Sequence, residues 1–291
     1  MRSDRTDLCD WLELADGRRL AYTVAGPSEG VPILYCHGAI GTPLRATVDL
    51  ERLTADLGLR FIAPSRPGVG GSHRAPRRTL AGFADDVEAL ADALRLESFS
   101  IVGVSAGGPY ALAVAGRLGD RVQRVGLCSS LAPIGAPHRA AGVPLRIRLA
   151  LAGLRWAPDL CRVAGNAALP LVARHPAVAR TSFLDAARDG VDGMIEDYLT
   201  YSADWGFSPA AVEQEVHLWH GLRDLLVPVE HALQLAVMLP RCRVFLDPDE
   251  GHHFFRSSLQ RILAVLVGQA SEPEQDVEIT RGRAGVWRRR R

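Results

Sequence analysis

The chain has 291 residues and a formal net charge of +1, with 47% hydrophobic and 23% charged residues. That balance suits a globular protein with a large core, excludes wholesale disorder, and provides no strongly basic surface for a general polyanion binder. Lysine is absent, so every side-chain cation other than histidine is arginine, which excludes Schiff-base chemistry, a Ser-Lys dyad and a P-loop on residue type alone.

The segment Met1 to Asp10 is polar and charged, without the apolar stretch of a signal peptide, and no apolar run is long enough to span a bilayer. Apolar segments of strand length follow at Trp11 to Leu14, Leu20 to Ala25, Pro32 to Cys36, Leu59 to Ala63, Phe99 to Val104, Val122 to Cys128, Val216 to Trp219 and Arg243 to Leu246. Helical patterns separate most of the later ones. Leu80, Phe83, Val87, Leu90 and Leu94 fall at three- and four-residue steps, and Ala106 to Leu118, Val229 to Leu239 and His253 to Val267 read as further helices. Strands alternating with helices predict an α/β fold, a mostly parallel doubly wound sheet with an antiparallel edge at its hairpin-like start.

Between Leu131 and Glu215 the strand rhythm stops. The stretch is rich in Ala, Leu and Arg and punctuated by Pro137, Pro144, Pro158, Pro170, Pro176 and Pro209. It reads as a helical cap over 131–215, inserted into a core formed by 11–130 and 216–268. Residues 1–10 and 271–291 are expected to be flexible termini, the second beginning acidic and ending in Arg288 to Arg291.

The five cysteines, Cys9, Cys36, Cys128, Cys161 and Cys242, are widely spread and lack C-x-x-C spacing, which fits a reducing cytosol and no metal site. His217 and His220 are three apart on a predicted strand and so point to opposite faces. No G-x-G-x-x-G pattern is present around Gly68 to Ser72 or Gly103 to Gly108, so no dinucleotide cofactor is indicated. The expectation is a cytoplasmic protein acting on a small molecule, with no cofactor, metal, nucleic-acid or membrane partner. The sequence sets no oligomeric state.

Gly103-Val104-Ser105-Ala106-Gly107 places a serine between glycines where a strand gives way to a helix. A sharp strand-to-helix turn holds its central residue in a strained backbone conformation with the side chain projecting, and its neighbours two positions away must be small. A serine hydroxyl needs a histidine to take its proton and a carboxylate to orient that histidine. His252, after Gly251 in the loop following the last predicted strand, is best placed, with His253 the alternative. Asp224 lies just past the strand Val216 to Trp219, whereas Asp247, Asp249 and Glu250 share the histidine's own loop. The alternative acid position after Cys128 holds Ser129, Ser130, Leu131 and Ala132 and no carboxylate. Two backbone N–H groups suit a developing oxyanion, those of Ala106 at the helix start and Ala39 in the glycine-flanked loop Cys36 to Gly41, while His37 reads as a brace for that loop.

These segments in order, His37-Gly38, Arg66-Pro67-Gly68-Val69-Gly70-Gly71-Ser72, the Ser105 elbow, His220-Gly221 with Asp224 and Val227-Pro228, and Gly251-His252, resemble the α/β-hydrolase fold family over roughly Trp11 to Val267. The resemblance implies a triad of Ser105, Asp224 and His252, an oxyanion hole from Ala39 and Ala106, and a cap over the pocket. Ser65 stands where relatives commonly carry Asp before Arg-Pro-Gly, a departure that concerns a loop contact and not the triad. Dehalogenases and epoxide hydrolases of the family use Asp at the elbow, so Ser105 points to carboxylesterase-like cleavage through an acyl-enzyme. Lactonase, C–C hydrolase, aminopeptidase, acyltransferase and perhydrolase chemistry, or ligand binding with little turnover, are the alternatives. Leu149, Leu151, Leu154, Trp156, Leu160 and Leu171 would favour an apolar or neutral substrate if they line the pocket, and otherwise pack the cap onto the core.

Overall fold

The computed structural model describes residues 9–39, 41, 50–75, 77–133, 145–174 and 183–271. Eight strands form one sheet: β1 (Asp10–Glu13), β2 (Arg19–Ala25), β3 (Val31–Cys36), β4 (Leu59–Pro64), β5 (Phe99–Val104), β6 (Val122–Cys128), β7 (Glu215–Gly221) and β8 (Cys242–Asp247). Their spatial order is β1-β2-β4-β3-β5-β6-β7-β8, with β1 and β2 antiparallel to their neighbours and the other six mutually parallel. The predicted antiparallel edge and parallel body are both present. Asp10, expected in the N-terminal extension, instead opens β1 and pairs with Tyr22, and residues 1–8 and 272–291 lie outside the described residues.

Successive strand residues face opposite sides, and each side carries its own apolar layer. Leu34, Ile62, Ile101, Leu127 and Leu218 pack with α2 (Leu80–Ala93), α3 (Gly107–Leu118) and α8 (Glu230–Met238). Ile33, Phe61, Val102, Cys128 and Trp219 pack on the other side with α1 (Leu50–Leu57) and α9 (Phe255–Leu266). The strand-and-helix pattern did not predict α1, although Leu53 and Leu57, four apart, bury its inner face. The α2 helix starts where the Thr79 hydroxyl accepts the Gly82 N–H at 2.9 Å, an N-cap that satisfies one of its unpaired amides.

Between β6 and β7 come α4 (Leu145–Trp156), α5 (Pro158–Ala173), α6 (Phe183–Ala186) and α7 (Asp192–Ser202), as the change of rhythm after Leu131 predicts. Their own small cluster, Ala187, Val191 and Ile195 with Leu154 and Leu169, is separate from the two layers on the sheet. The prolines act differently from one another. Pro158 begins α5, where a missing N–H costs nothing, but Pro170 lies inside that helix and does not end it.

All six parallel strands run the same way, so the turns after β3, β5, β6, β7 and β8 gather at one edge of the sheet. A cleft of about 950 Å³ at the opposite edge, lined by Val31, Ser98, Val122, Glu215 and Arg241 among others, holds none of the candidate site residues.

Candidate active site

Ser105 follows β5 directly and has φ of +54°, the left-handed region that β-carbon-bearing residues avoid. Such a conformation costs on the order of 1–3 kcal/mol and persists only where surrounding bonds impose it. Here the Ser105 N–H donates to the Cys128 carbonyl at 2.8 Å, while its own carbonyl accepts from Gly108 at 3.1 Å and Leu131 at 3.3 Å. The flanking glycines are sterically required. A Cβ on Gly103 would stand 2.8 Å from the Ala111 Cβ, and one on Gly107 would stand 2.1 Å from the Cys36 carbonyl oxygen. Ala106, buried behind the serine, caps α3.

The turn after β7 carries Asp224, and the loop after β8 carries His252. The two side chains meet: His252 Nδ1 lies 2.8 Å from Asp224 Oδ2. The other oxygen, Oδ1, accepts the N–H groups of Leu226 at 2.9 Å and Val227 at 2.8 Å. Burial opposes ionisation of this carboxyl, but the His252 hydrogen bond and charge and the Val227 N–H outweigh it, so its pKa lies below the ordinary carboxylate value. The Ser129 hydroxyl, at the vacant alternative acid position, lies close enough to favour the same charge yet outside hydrogen-bond geometry. An ionised Asp224 favours the tautomer of a neutral His252 that carries its proton on Nδ1, with Nε2 bare. His253, the alternative base, is exposed, its ring edge-on to His252 with centroids 5.2 Å apart.

His220 supports the turn from below. Its Nε2 lies 2.9 Å from the Val227 carbonyl, which can only accept, so that nitrogen carries the proton, and burial pushes its pKa down. Asp249 pairs with Arg223 at the surface and takes no part in orienting the histidine.

On the other side of the serine, a Cβ on Gly38 would sit 3.6 Å from the Ser105 Cβ, so the loop after β3 runs alongside the elbow. Neither the Ala39 nor the Ala106 N–H donates to a backbone acceptor among the described residues. No hydrogen bond joins the Ser105 hydroxyl to His252 among the described residues. The structure therefore brings Asp224 to His252 and the 36–39 loop to Ser105. His37 braces that loop as its sequence position suggests, with Nε2 accepting the Arg66 N–H at 3.4 Å and Nδ1 3.0 Å from the Gly38 carbonyl. Burial and the neighbouring Arg66 cation hold it neutral. The Ser65 position bonds through its backbone, donating to the Ala21 carbonyl at 2.8 Å and accepting from the Ser72 hydroxyl at 2.8 Å.

The family model described as alpha/beta hydrolase fold matches residues 31–159, and the mostly parallel eight-stranded sheet agrees with that description. The chain has the α/β-hydrolase fold. Among curated proteins, this hydrolase-fold chain is 33% identical over 119 residues to the "Uncharacterized hydrolase YcgS" of Bacillus subtilis (strain 168), an alignment covering 40% of this chain and only 39% of that one. It is 27% identical over 240 residues to a 2-hydroxymuconate semialdehyde hydrolase of Pseudomonas putida, covering 77% and 81%. Among solved structures, the esterase RhEst1 from Rhodococcus sp. ECU1013 superposes with a TM-score of 0.66 at 21% identity, covering 91% of this chain and 99% of that one. Structures at such identities include both esterases and epoxide hydrolases, so this likeness shows the fold alone.

Of the six apolar residues expected to line the pocket or seat the inserted helices, four are exposed, Leu149, Trp156, Leu160 and Leu171. Leu154 packs within the helices' own cluster, and the Leu151 side chain lies outside the described residues. Among the described residues no group of three His, Cys, Asp or Glu could hold a metal, and no helix is long and apolar enough to cross a membrane.

What the sequence did not reveal is a buried charge cluster beneath the 36–39 loop. Arg66, fully buried, lies 2.8 Å from Asp197 on α7, and Arg78 lies 2.7 Å from the same carboxylate. No local pattern marks Asp197, whose partners Arg78 and Tyr110 are 119 and 87 positions away.

Proposed function

We propose that this protein is a serine hydrolase that cleaves an ester-like bond of a small substrate through an acyl-enzyme, with Ser105 as nucleophile, His252 as base and Asp224 as the orienting acid. The observation that carries the reading is the 2.8 Å bond from His252 Nδ1 to a carboxylate whose second oxygen is held by two backbone amides. It sets the tautomer that leaves Nε2 free to accept a proton.

In the proposed cycle the Ser105 oxygen attacks the carbonyl carbon as its proton passes to His252 Nε2. The carbonyl π pair moves to oxygen, and the Ala39 and Ala106 N–H groups receive that charge; each such donor contributes about 3 kcal/mol to lowering the barrier. The oxyanion collapses, the alcohol leaves with the proton from His252, and water repeats the sequence to release the acid. The positive end of α3 adds to the stabilisation. The helices between β6 and β7 would form the substrate-covering cap.

The test is Ser105→Ala. The variant should lose covalent labelling by an organophosphonate and at least about a thousandfold of kcat on a short p-nitrophenyl ester. Unchanged turnover would sink the mechanism. The likeness to the P. putida enzyme supports a second reading, hydrolysis of a compound of the 2-hydroxymuconate semialdehyde kind by the same serine. Comparing kcat/KM on that compound with values on esters, lactones and aminoacyl arylamides, with Ser105→Ala as blank, separates the two readings.

A further inference from the structure

Four residues that the proposed chemistry does not use, Arg66, Arg78, Tyr110 and Asp197, form a buried network between the inserted helices and the oxyanion loop. Arg66 donates through Nη1 to the His37 carbonyl and through Nη2 to the Gly38 carbonyl at 2.9 Å. The same Nη2 lies 2.8 Å from Asp197 Oδ2, with both side chains essentially without solvent exposure. Asp197 Oδ1 also accepts from Arg78 Nη2 at 2.7 Å and from the Tyr110 hydroxyl at 2.6 Å. Arg78 reaches on to the Pro67 carbonyl at 2.6 Å and the Gly193 carbonyl at 3.1 Å, and the Arg66 guanidinium lies over the Tyr110 ring at 5.0 Å.

Peptide geometry gives this network a direction. In a trans peptide the C=O and the following N–H point opposite ways. The Gly38 carbonyl is tied to Arg66 and to His37 Nδ1, so the Ala39 N–H is turned away from the cluster, on the side of the loop where Ser105 lies. Pulling on the His37 carbonyl does the same for the Gly38 N–H. A cation bonded to the carbonyl also polarises the peptide, which makes its N–H a stronger donor. Two guanidiniums share the single Asp197 carboxylate, so one positive charge is left over beneath the loop, the sign that a developing oxyanion requires.

We propose that Arg66 is a positioning residue for the oxyanion donor at Ala39, and that Asp197, carried by α7, holds Arg66 in place, so that seating of the inserted helices and orientation of the oxyanion loop are one coupled arrangement. The proposal rests on the serine-hydrolase reading for its kinetic consequence, while its structural consequence stands alone. Arg66 touches no reacting atom. It acts through the Gly38–Ala39 peptide, and the α7 carboxylate is what makes an arginine tolerable in that buried place, since a buried cation without its partner is strongly destabilising.

The test pairs kinetics with amide exchange. On a p-nitrophenyl ester, Arg66→Gln should lower kcat about a hundredfold with KM within threefold of wild type, because only transition-state charge is affected. Arg66→Lys, which keeps the charge but can bond one carbonyl at a time, should recover part of the loss. Amide exchange of the peptide containing Gly38 and Ala39 should accelerate at least tenfold in Arg66→Gln and Asp197→Asn, with the β5 peptide unchanged. Should those variants fail to fold, Tyr110→Phe removes a single hydroxyl bond to Asp197 and should accelerate the same peptide selectively. A folded Arg66→Gln with kcat within threefold of wild type, or unchanged exchange at 38–39 in every folded variant, overturns the proposal. If the wild type shows no Ser105-dependent turnover, the serine-hydrolase reading fails and the exchange measurement still decides this one.

Discussion

A Cβ added to Gly107 would lie 2.1 Å from the Cys36 carbonyl oxygen and 2.7 Å from that of His37. The first turn of α3 and the end of β3 thus pass at a separation that admits no side chain, and this crossing sets the Ser105 turn against the 36–39 loop. Gly107→Ala must push the two apart. Displacements of about 1 Å at a reacting centre cost roughly a hundredfold in rate, so kcat on an ester substrate should fall by at least that factor. Overpacking should also lower stability by about 1–3 kcal/mol. Steady-state kinetics and urea unfolding check both; wild-type kcat in a folded variant would show that the crossing does not set the site.

Asp224→Asn isolates the role of the carboxylate. An asparagine can keep its carbonyl oxygen on the Leu226 and Val227 amides and present its NH₂ to His252 Nδ1. That nitrogen must then accept, the proton moves to Nε2, and the base is lost. The expected result is a drop of about a thousandfold to ten-thousandfold in kcat at neutral pH, with the fold intact by circular dichroism. A loss under tenfold would mean that His252 does not depend on this partner.

Much of this arrangement is legible in the sequence because it is built from strand ends. Apolar runs locate all eight strands to within about two residues, most clearly where burial on both faces leaves a continuous signal, as in β5, and Ser105, Asp224 and His252 each lie in the turn or loop that follows one of them. The α1 helix escapes because two turns carry too few apolar positions to establish a period. Asp197 escapes for a different reason. A carboxylate on a short helix reads as a solvated charge, and only tertiary packing brings it to Arg66, Arg78 and Tyr110. The exposure of Trp156, Leu160 and Leu171 was equally hidden, since hydrophobicity states a preference for burial without naming the surface that supplies it.

Two buried histidines should make stability depend on pH above the carboxylate range. Burial lowers the pKa of His220, and burial with the Arg66 charge lowers that of His37 well below its ordinary value. In the unfolded chain both titrate near ~6.5. Below that pH the unfolded chain takes up protons that the native state refuses, so stability is full above about 6.5 and falls as the pH drops. Asp224 adds a second loss at lower pH, as its depressed pKa is crossed from above. Urea midpoints should therefore decline from pH 7.5 to 5. His220→Gln, which keeps an N–H for the Val227 carbonyl, should decline less steeply. Parallel slopes would remove His220 from the account.

Gly116 provides the opposite case to Gly107 within the same helix. A Cβ there would meet only Val212 Cγ2 at 3.8 Å, an ordinary van der Waals contact, and the residue lies inside α3 without a positive φ. Glycine in a helix interior costs about 0.5–1 kcal/mol relative to alanine, because it gives up more backbone freedom on folding. Gly116→Ala should therefore raise unfolding free energy by roughly that amount, with the added methyl filling space beside Val212. It lies more than two helical turns from Ser105, so kcat and KM should be those of the wild type. A destabilised variant would show that α3 packs more tightly against the segment around Val212 than this spacing allows.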